Sequence, residues 1–92
     1  MLLCRNAVAG TLESSDILIS IEPKESGIEI ELQSTVYDQF GESIKAAIYD
    51  EAKRLKVEGA HIIANDHGAL DCTIRARVET AIKRAAKKEE EN

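Results

Sequence analysis

The feature that most limits this chain's fold is a change of hydrophobic period at Ser34. Before it, apolar residues recur every second position. Ile17, Ile19 and Ile21 share one side of an extended segment, and Leu18, Ser20 and Glu22 share the other. Ile28, Ile30 and Leu32 then alternate with Glu29, Glu31 and Gln33, the pattern of a strand with one buried face and one acidic, solvated face. Asn6–Leu12 reads as a shorter strand carrying Val8 and Leu12, with Gly10 as a weak point or bulge. Glu13–Asp16 is a polar turn, and Pro23–Gly27 breaks the chain again.

After Ser34 the apolar residues come at steps of three and four. Val36, Tyr37, Phe40, Ile44, Ile48, Ala52 and Leu55 form the stripe of an amphipathic helix about five turns long. Thr35 is placed to cap it, with Asp38 in the capping-box position, and Gly59 to end it in a left-handed residue. His61–Ala64 fits a short buried strand, and Asp66-His67-Gly68 a turn. Leu70, Ile74, Val78, Ile82 and Ala85 mark a second helix, with Asp71 at its start and Lys83, Arg84, Lys87 and Lys88 near its end, as the helix dipole favours.

The order βββαβα predicts an α+β two-layer sandwich. A three-stranded antiparallel meander is expected, plus a fourth strand running parallel to the first and third. Right-handed crossover chirality places both helices on one face of the sheet. At 92 residues the chain is one domain, expected over 1–88, with an acidic solvated tail at 89–92.

Composition narrows the function. Aromatics are only 3 % and the net charge is −5, so neither a base-stacking surface nor an attraction to phosphate backbones or anionic lipid is expected. No apolar run reaches the ~18 residues of a membrane span. Met1-Leu2-Leu3-Cys4-Arg5 looks like the end of a lipoprotein signal, but without a hydrophobic stretch of useful length. A soluble, cytoplasmic protein is expected, with no nucleic-acid or membrane partner. Cys4 and Cys72 are read as free thiols packed as small apolar groups, and with His61 and His67 they match no metal-ligand spacing.

Catalytic signals are weak. Asp66 and His67 are sequence neighbours, which seldom face each other. Glu13 and Asp16 flank a turn, where both would be solvated and unshifted. Arg75, Arg77, Lys83 and Arg84 read first as a solvated helix face and second as a docking surface. Ser14 and Ser15 are different in kind. Each would sit on a tight loop between strands, exposed and without a neighbouring base: a poor nucleophile, but a good acceptor for a group that another enzyme attaches.

Gly10-Thr11-Leu12-Glu13-Ser14-Ser15-Asp16 resembles the hallmark segment of the citrate lyase acyl carrier protein family, the gamma subunit of that enzyme. The likeness extends to Ala7-Val8-Ala9, to Gln39-Phe40-Gly41-Glu42 with Ile44, and to Gly68-Ala69-Leu70-Asp71-Cys72 followed by Ile74-Arg75-Ala76-Arg77-Val78-Glu79-Thr80. The carrier subunit of malonate decarboxylase is similar in role and stands as the nearest alternative. A non-catalytic interaction module is a further one.

The resemblance implies a non-catalytic carrier subunit. Its cofactor would be 2'-(5''-phosphoribosyl)-3'-dephospho-CoA, joined by a phosphodiester to Ser14. The family usually has Ser-Gly-Asp where this chain has Ser14-Ser15-Asp16, so Ser15 stays open as a second acceptor and the turn type is in question. The implied partners are the citrate lyase alpha subunit (acetyl-carrier:citrate transferase), the beta subunit (citryl-carrier lyase) and the synthase that transfers the cofactor. Common fatty-acid carriers place an Asp-Ser-Leu motif at a helix start. Here Ser15-Asp16-Ile17 reverses serine and acid in a strand context, which predicts attachment on a strand loop and not on a helical bundle.

Overall fold

The structure is a computed structural model and describes residues 1–86; the expected tail at 89–92 lies outside the described residues. Three strands come first: β1 (Ala7–Gly10), β2 (Ile17–Pro23) and β3 (Gly27–Ser34). Helix α1 (Tyr37–Arg54), strand β4 (Gly59–Asp66) and helix α2 (Asp71–Ala85) complete the order βββαβα. The helices share a core with one face of a single mixed sheet, giving the expected two-layer α+β sandwich.

The meander does not form. Sheet order is β1-β2-β4-β3, so β4 lies between β2 and β3, antiparallel to the first and parallel to the second. Strand directions agree with the sequence reading; adjacency does not. A single glycine makes room for this order. The connection from β2 to β3 crosses the start of β4, and a Cβ at Gly59 would lie 2.1 Å from the Lys24 carbonyl oxygen. Gly27 N–H then donates to the Glu58 carbonyl at 2.9 Å, which fixes the crossing. β3 is thereby an edge strand, and its alternating Glu29 and Glu31 are the kind of charge that protects an edge.

Gly59 is therefore not the helix stop. Lys56 takes the left-handed conformation (φ 59°), Val57 N–H reaches the Ala52 carbonyl at 3.1 Å and Lys56 N–H the Lys53 carbonyl at 2.9 Å. These are the paired bonds of a Schellman motif, with buried Val57 sealing it. Nor does Thr35 cap α1. The N-cap is Val36, without a side-chain cap; Ser34 Oγ accepts from Val36 N–H at 3.1 Å instead.

The core is aliphatic, as the scarcity of aromatics requires. Ile17, Ile19 and Ile21 of β2 and Ile62 of β4 meet Ile48 of α1 and Val78 and Ile82 of α2, all essentially inaccessible to water. At about 1.5–3 kcal/mol per buried aliphatic side chain, this cluster is the main stabilising element. β4 is buried on one face only, since Ile63 is exposed on the other. The segment before β1 belongs to the fold: Leu3 is buried and bridges to Ala86, and Cys4 N–H donates to the Ala85 carbonyl at 2.8 Å. Cys4 and Cys72 are free, but both are exposed and do not pack as core residues.

Candidate functional site

Gly10 of β1 pairs with Leu18, Ile17 with Asp66, and Asp66 with Ser34. These pairings bring the β1–β2 loop, the β4–α2 turn and the β3–α1 connection to one end of the sheet. The loop leaves β1 through Gly10 at φ 97°, where a Cβ would collide with the Ile17 carbonyl oxygen at 1.8 Å. Glu13–Asp16 is then a four-residue turn closed by Asp16 N–H to the Glu13 carbonyl at 3.2 Å. Ser14 and Ser15 are its two central residues, both exposed. Ser15 alone has a positive φ, 65°, the pattern of a type II turn. Serine thus adopts the backbone conformation that glycine would favour, and it is held there: Ser15 N–H donates to the His67 carbonyl at 2.7 Å, and His67 N–H to the Asp16 carbonyl at 2.9 Å.

Asp16 is not the solvated carboxylate its position in a turn suggested. Its side chain is only 13 % exposed. Arg77, 61 residues away on α2, donates to both oxygens, Nε to Oδ1 at 3.0 Å and a terminal guanidinium nitrogen to Oδ2 at 2.7 Å. Thr11 Oγ1 donates to Oδ2 at 2.7 Å, and Ile17 N–H to Oδ1 at 2.7 Å. Thr11 Oγ1 also accepts from Glu13 N–H at 3.1 Å. The Arg77 fork first, then the Thr11 hydroxyl, hold the Asp16 carboxyl well below the usual carboxylate range. Glu13 is exposed and joins this network through its backbone alone, so the two carboxylates do not form a working pair.

Asp66 and His67 are not an acid–base pair either. Asp66 is fully buried; its carboxylate accepts from Ser34 Oγ at 2.8 Å, Gly68 N–H at 3.1 Å and Ala69 N–H at 3.0 Å. It ties together the two connections beside the serine loop. His67 contributes its backbone to that loop. His61 lies on the outer sheet face between Glu31 and Glu22, and its hydrogen bond to Glu31 raises its pKa. The basic residues of α2 are engaged within the chain: Arg75 with Asp71 and Asp50, Lys83 with Glu79, and Arg84 with the Val8 carbonyl. At the serine end of the sheet, an apolar groove of about 410 Å³ opens between the first turns of the two helices, lined by Val36, Phe40, Ile44, Ala69, Leu70 and Ile74.

Sequence reading puts Arg77 on a solvated helix face and gives Thr11 no role of its own, and so misses the contacts that both make with Asp16. Nothing local marks Arg77 as a loop residue, because its contact depends on how α2 lies across the sheet. Thr11 and Asp16 together were readable as a hydroxyl and a carboxylate able to close a short loop on themselves.

Comparison with known proteins agrees with this architecture. The family model described as malonate decarboxylase delta subunit (MdcD), an acyl carrier model, matches residues 4–85. A Rhodopseudomonas palustris protein named citrate lyase acyl carrier protein is 51 % identical over 85 residues, covering 92 % of this chain and 88 % of its own. One of the same name from Escherichia fergusonii is 46 % identical over 91 residues, covering 98 % and 94 %. The chain belongs to the citrate lyase acyl carrier protein family. Among solved structures, a chain of a Pseudomonas malonate decarboxylase hetero-tetramer in complex with malonate superposes with a TM-score of 0.76 at 19 % identity, covering 94 % of this chain and 93 % of that one. That chain therefore shares this fold.

Proposed function

We infer that this protein is the acyl carrier subunit of citrate lyase, and that Ser14 is where its prosthetic arm is attached. The observation that carries the reading is an exposed serine at the tip of a turn whose other polar groups are tied down, in a chain of the carrier family. A phosphodiester at Ser14 Oγ fits this setting. The arm, 2'-(5''-phosphoribosyl)-3'-dephospho-CoA, would extend into solvent from an exposed corner, and every cation on α2 near the loop already has a partner.

When bound, the arm supplies a thiol that holds an acyl group as a thioester. This chain's residues do the rest by position. The Gly10 entry, the Thr11–Asp16 bonds and the His67 backbone fix the origin of the arm on a rigid frame. Tethering at a fixed point gives the acyl group a high effective concentration at two partner active sites. The partners are the transferase (alpha) and lyase (beta) subunits and the synthase that installs the arm. That synthase is expected to bring its own base, since among the described residues no carboxylate or imidazole hydrogen-bonds to Ser14 Oγ.

A carrier for malonate decarboxylase is the second reading, favoured by the family model's description. The 46–51 % identity to proteins named for citrate lyase, against 19 % to the Pseudomonas malonate decarboxylase chain, supports the citrate reading.

Intact-mass spectrometry after co-expression with the modifying enzymes tests the proposal. The expected result is a mass excess equal to the arm, absent in Ser14→Ala and retained in Ser15→Ala. A bare chain under those conditions refutes the carrier role. Loss in Ser15→Ala alone moves the attachment to Ser15. Charging of the loaded protein by the malonate enzyme's transferase, and not by that of citrate lyase, decides for the second reading.

A further inference from the structure

We propose that Arg77 is a positioning residue for the attachment serine: through Asp16 it holds the Glu13–Asp16 turn in the shape that offers Ser14 Oγ to the modifying enzyme. This rests on the carrier reading above and deepens it. Three observations carry it. First, Arg77 meets Asp16 as a two-pronged fork, and with Thr11 and Ile17 N–H the two carboxylate oxygens accept four hydrogen bonds. A fork of this kind fixes orientation as well as distance. Second, the turn it anchors contains a non-glycine residue at φ 65°. Backbone strain of that sort persists where the surroundings over-determine it, and it collects at functional sites. Third, the Asp16 side chain is 13 % exposed and the Arg77 side chain 39 %, so the fork reaches in from the surface to hold a largely covered carboxylate in one orientation. Its distinctive property is geometric.

The attachment step sets what the geometry must serve. Ser14 Oγ forms a bond to phosphorus of an activated arm donor bearing a diphosphate leaving group. The phosphorus–diphosphate bond breaks, and the hydroxyl proton passes to a base on the enzyme. In-line approach demands a hydroxyl held at one place and angle, and small displacements cost about 10–100-fold in rate.

The experiment uses the full chain as substrate for its modifying enzyme, with attachment followed by intact mass and loop order by amide hydrogen exchange. Arg77→Lys keeps the charge but not the fork, and Arg77→Gln keeps neither. Both are expected to remain folded, to exchange faster at Ser15 and Asp16, and to lose about 10–100-fold in kcat with KM for the carrier little changed, lysine retaining more than glutamine. A rise in KM alone would make Arg77 a docking contact and overturn the proposal; unchanged kinetics would overturn it too. If neither variant folds, Thr11→Val removes a different bond to Asp16 and is expected to give the same kcat loss. A wild-type chain that accepts no arm refutes the carrier reading, and this inference with it. A modified wild type beside equally modified variants refutes the inference alone.

Discussion

The two ends of the sheet solve the same problem, closing loops over an aliphatic core, by different means. At the serine end two aspartates do it. Asp16 gathers Arg77, Thr11 and Ile17 N–H, and Asp66 gathers Ser34, Gly68 N–H and Ala69 N–H. At the opposite end the loops are held by the backbone: the β2–β3 connection lies against Gly59, and Lys56 and Val57 turn the end of α1. The difference shows where the molecule can change. A backbone crossing tolerates no added atom. A side-chain network can be loosened one bond at a time and leave the core intact.

The largest expected effect lies at the backbone end. In Gly59→Ala the new methyl meets the Lys24 carbonyl, and no rotamer relieves it. A loss of about 3 kcal/mol in denaturant unfolding is expected. A near-neutral Gly59→Ala would show that the crossing is not tight and remove the contrast between the two ends. Asp66→Ala comes next. It strips acceptors from one hydroxyl and two N–H groups beside a fully buried position, for about 2–3 kcal/mol. At about 4–8 °C per kcal/mol for a domain of this size, a thermal scan resolves it. Ser15→Gly should raise stability slightly, by about 0.5–1 kcal/mol, because glycine adopts the left-handed turn conformation without strain, less the added entropy of its unfolded chain. If Ser15→Gly destabilises, the serine side chain contributes something beyond its backbone conformation.

The smallest effect is pH-dependent. His61 gains its raised pKa in the folded state from Glu31 and Glu22. Its contribution should be fully present below the unfolded histidine pKa of about 6.5 and disappear as pH rises through the higher folded value. Melting temperatures of wild type and His61→Gln should therefore converge at alkaline pH and separate under mildly acidic conditions. The opposite trend would refute the Glu31–His61–Glu22 arrangement. Asp16 behaves inversely. Its depressed pKa keeps the serine loop clamped as pH falls past about 3.9, where an unfolded aspartate protonates, and releases it only in stronger acid.

Where structure depends on nearest neighbours, it was legible in the sequence. The alternation of Ile17, Ile19 and Ile21, the switch of period after Ser34, and the placement of Ser14 and Ser15 on a strand loop all correspond to observed elements. The illegible parts depend on contacts distant in sequence. Gly59 follows a helix and so looks like its stop, but its missing side chain serves a strand connection 35 residues earlier, at Lys24. With β4 between β2 and β3 the connection must cross it, and from sequence a short β2–β3 break reads just as well as a hairpin. Asp16 looked solvated because its partner is on the last helix. Thr35 looks like a cap from its place just before the helical stripe, but the hydroxyl that serves Val36 N–H belongs to Ser34, the last residue of β3, which also donates to Asp66.

The bridge between Leu3 and Ala86 has a practical consequence. β1 enters the sheet, and α2 leaves it, at the end remote from Ser14. An affinity handle or fluorescent reporter placed beside this bridge would lie at the opposite pole from the serine loop, so capture on a solid support should leave that loop open to an enzyme in solution.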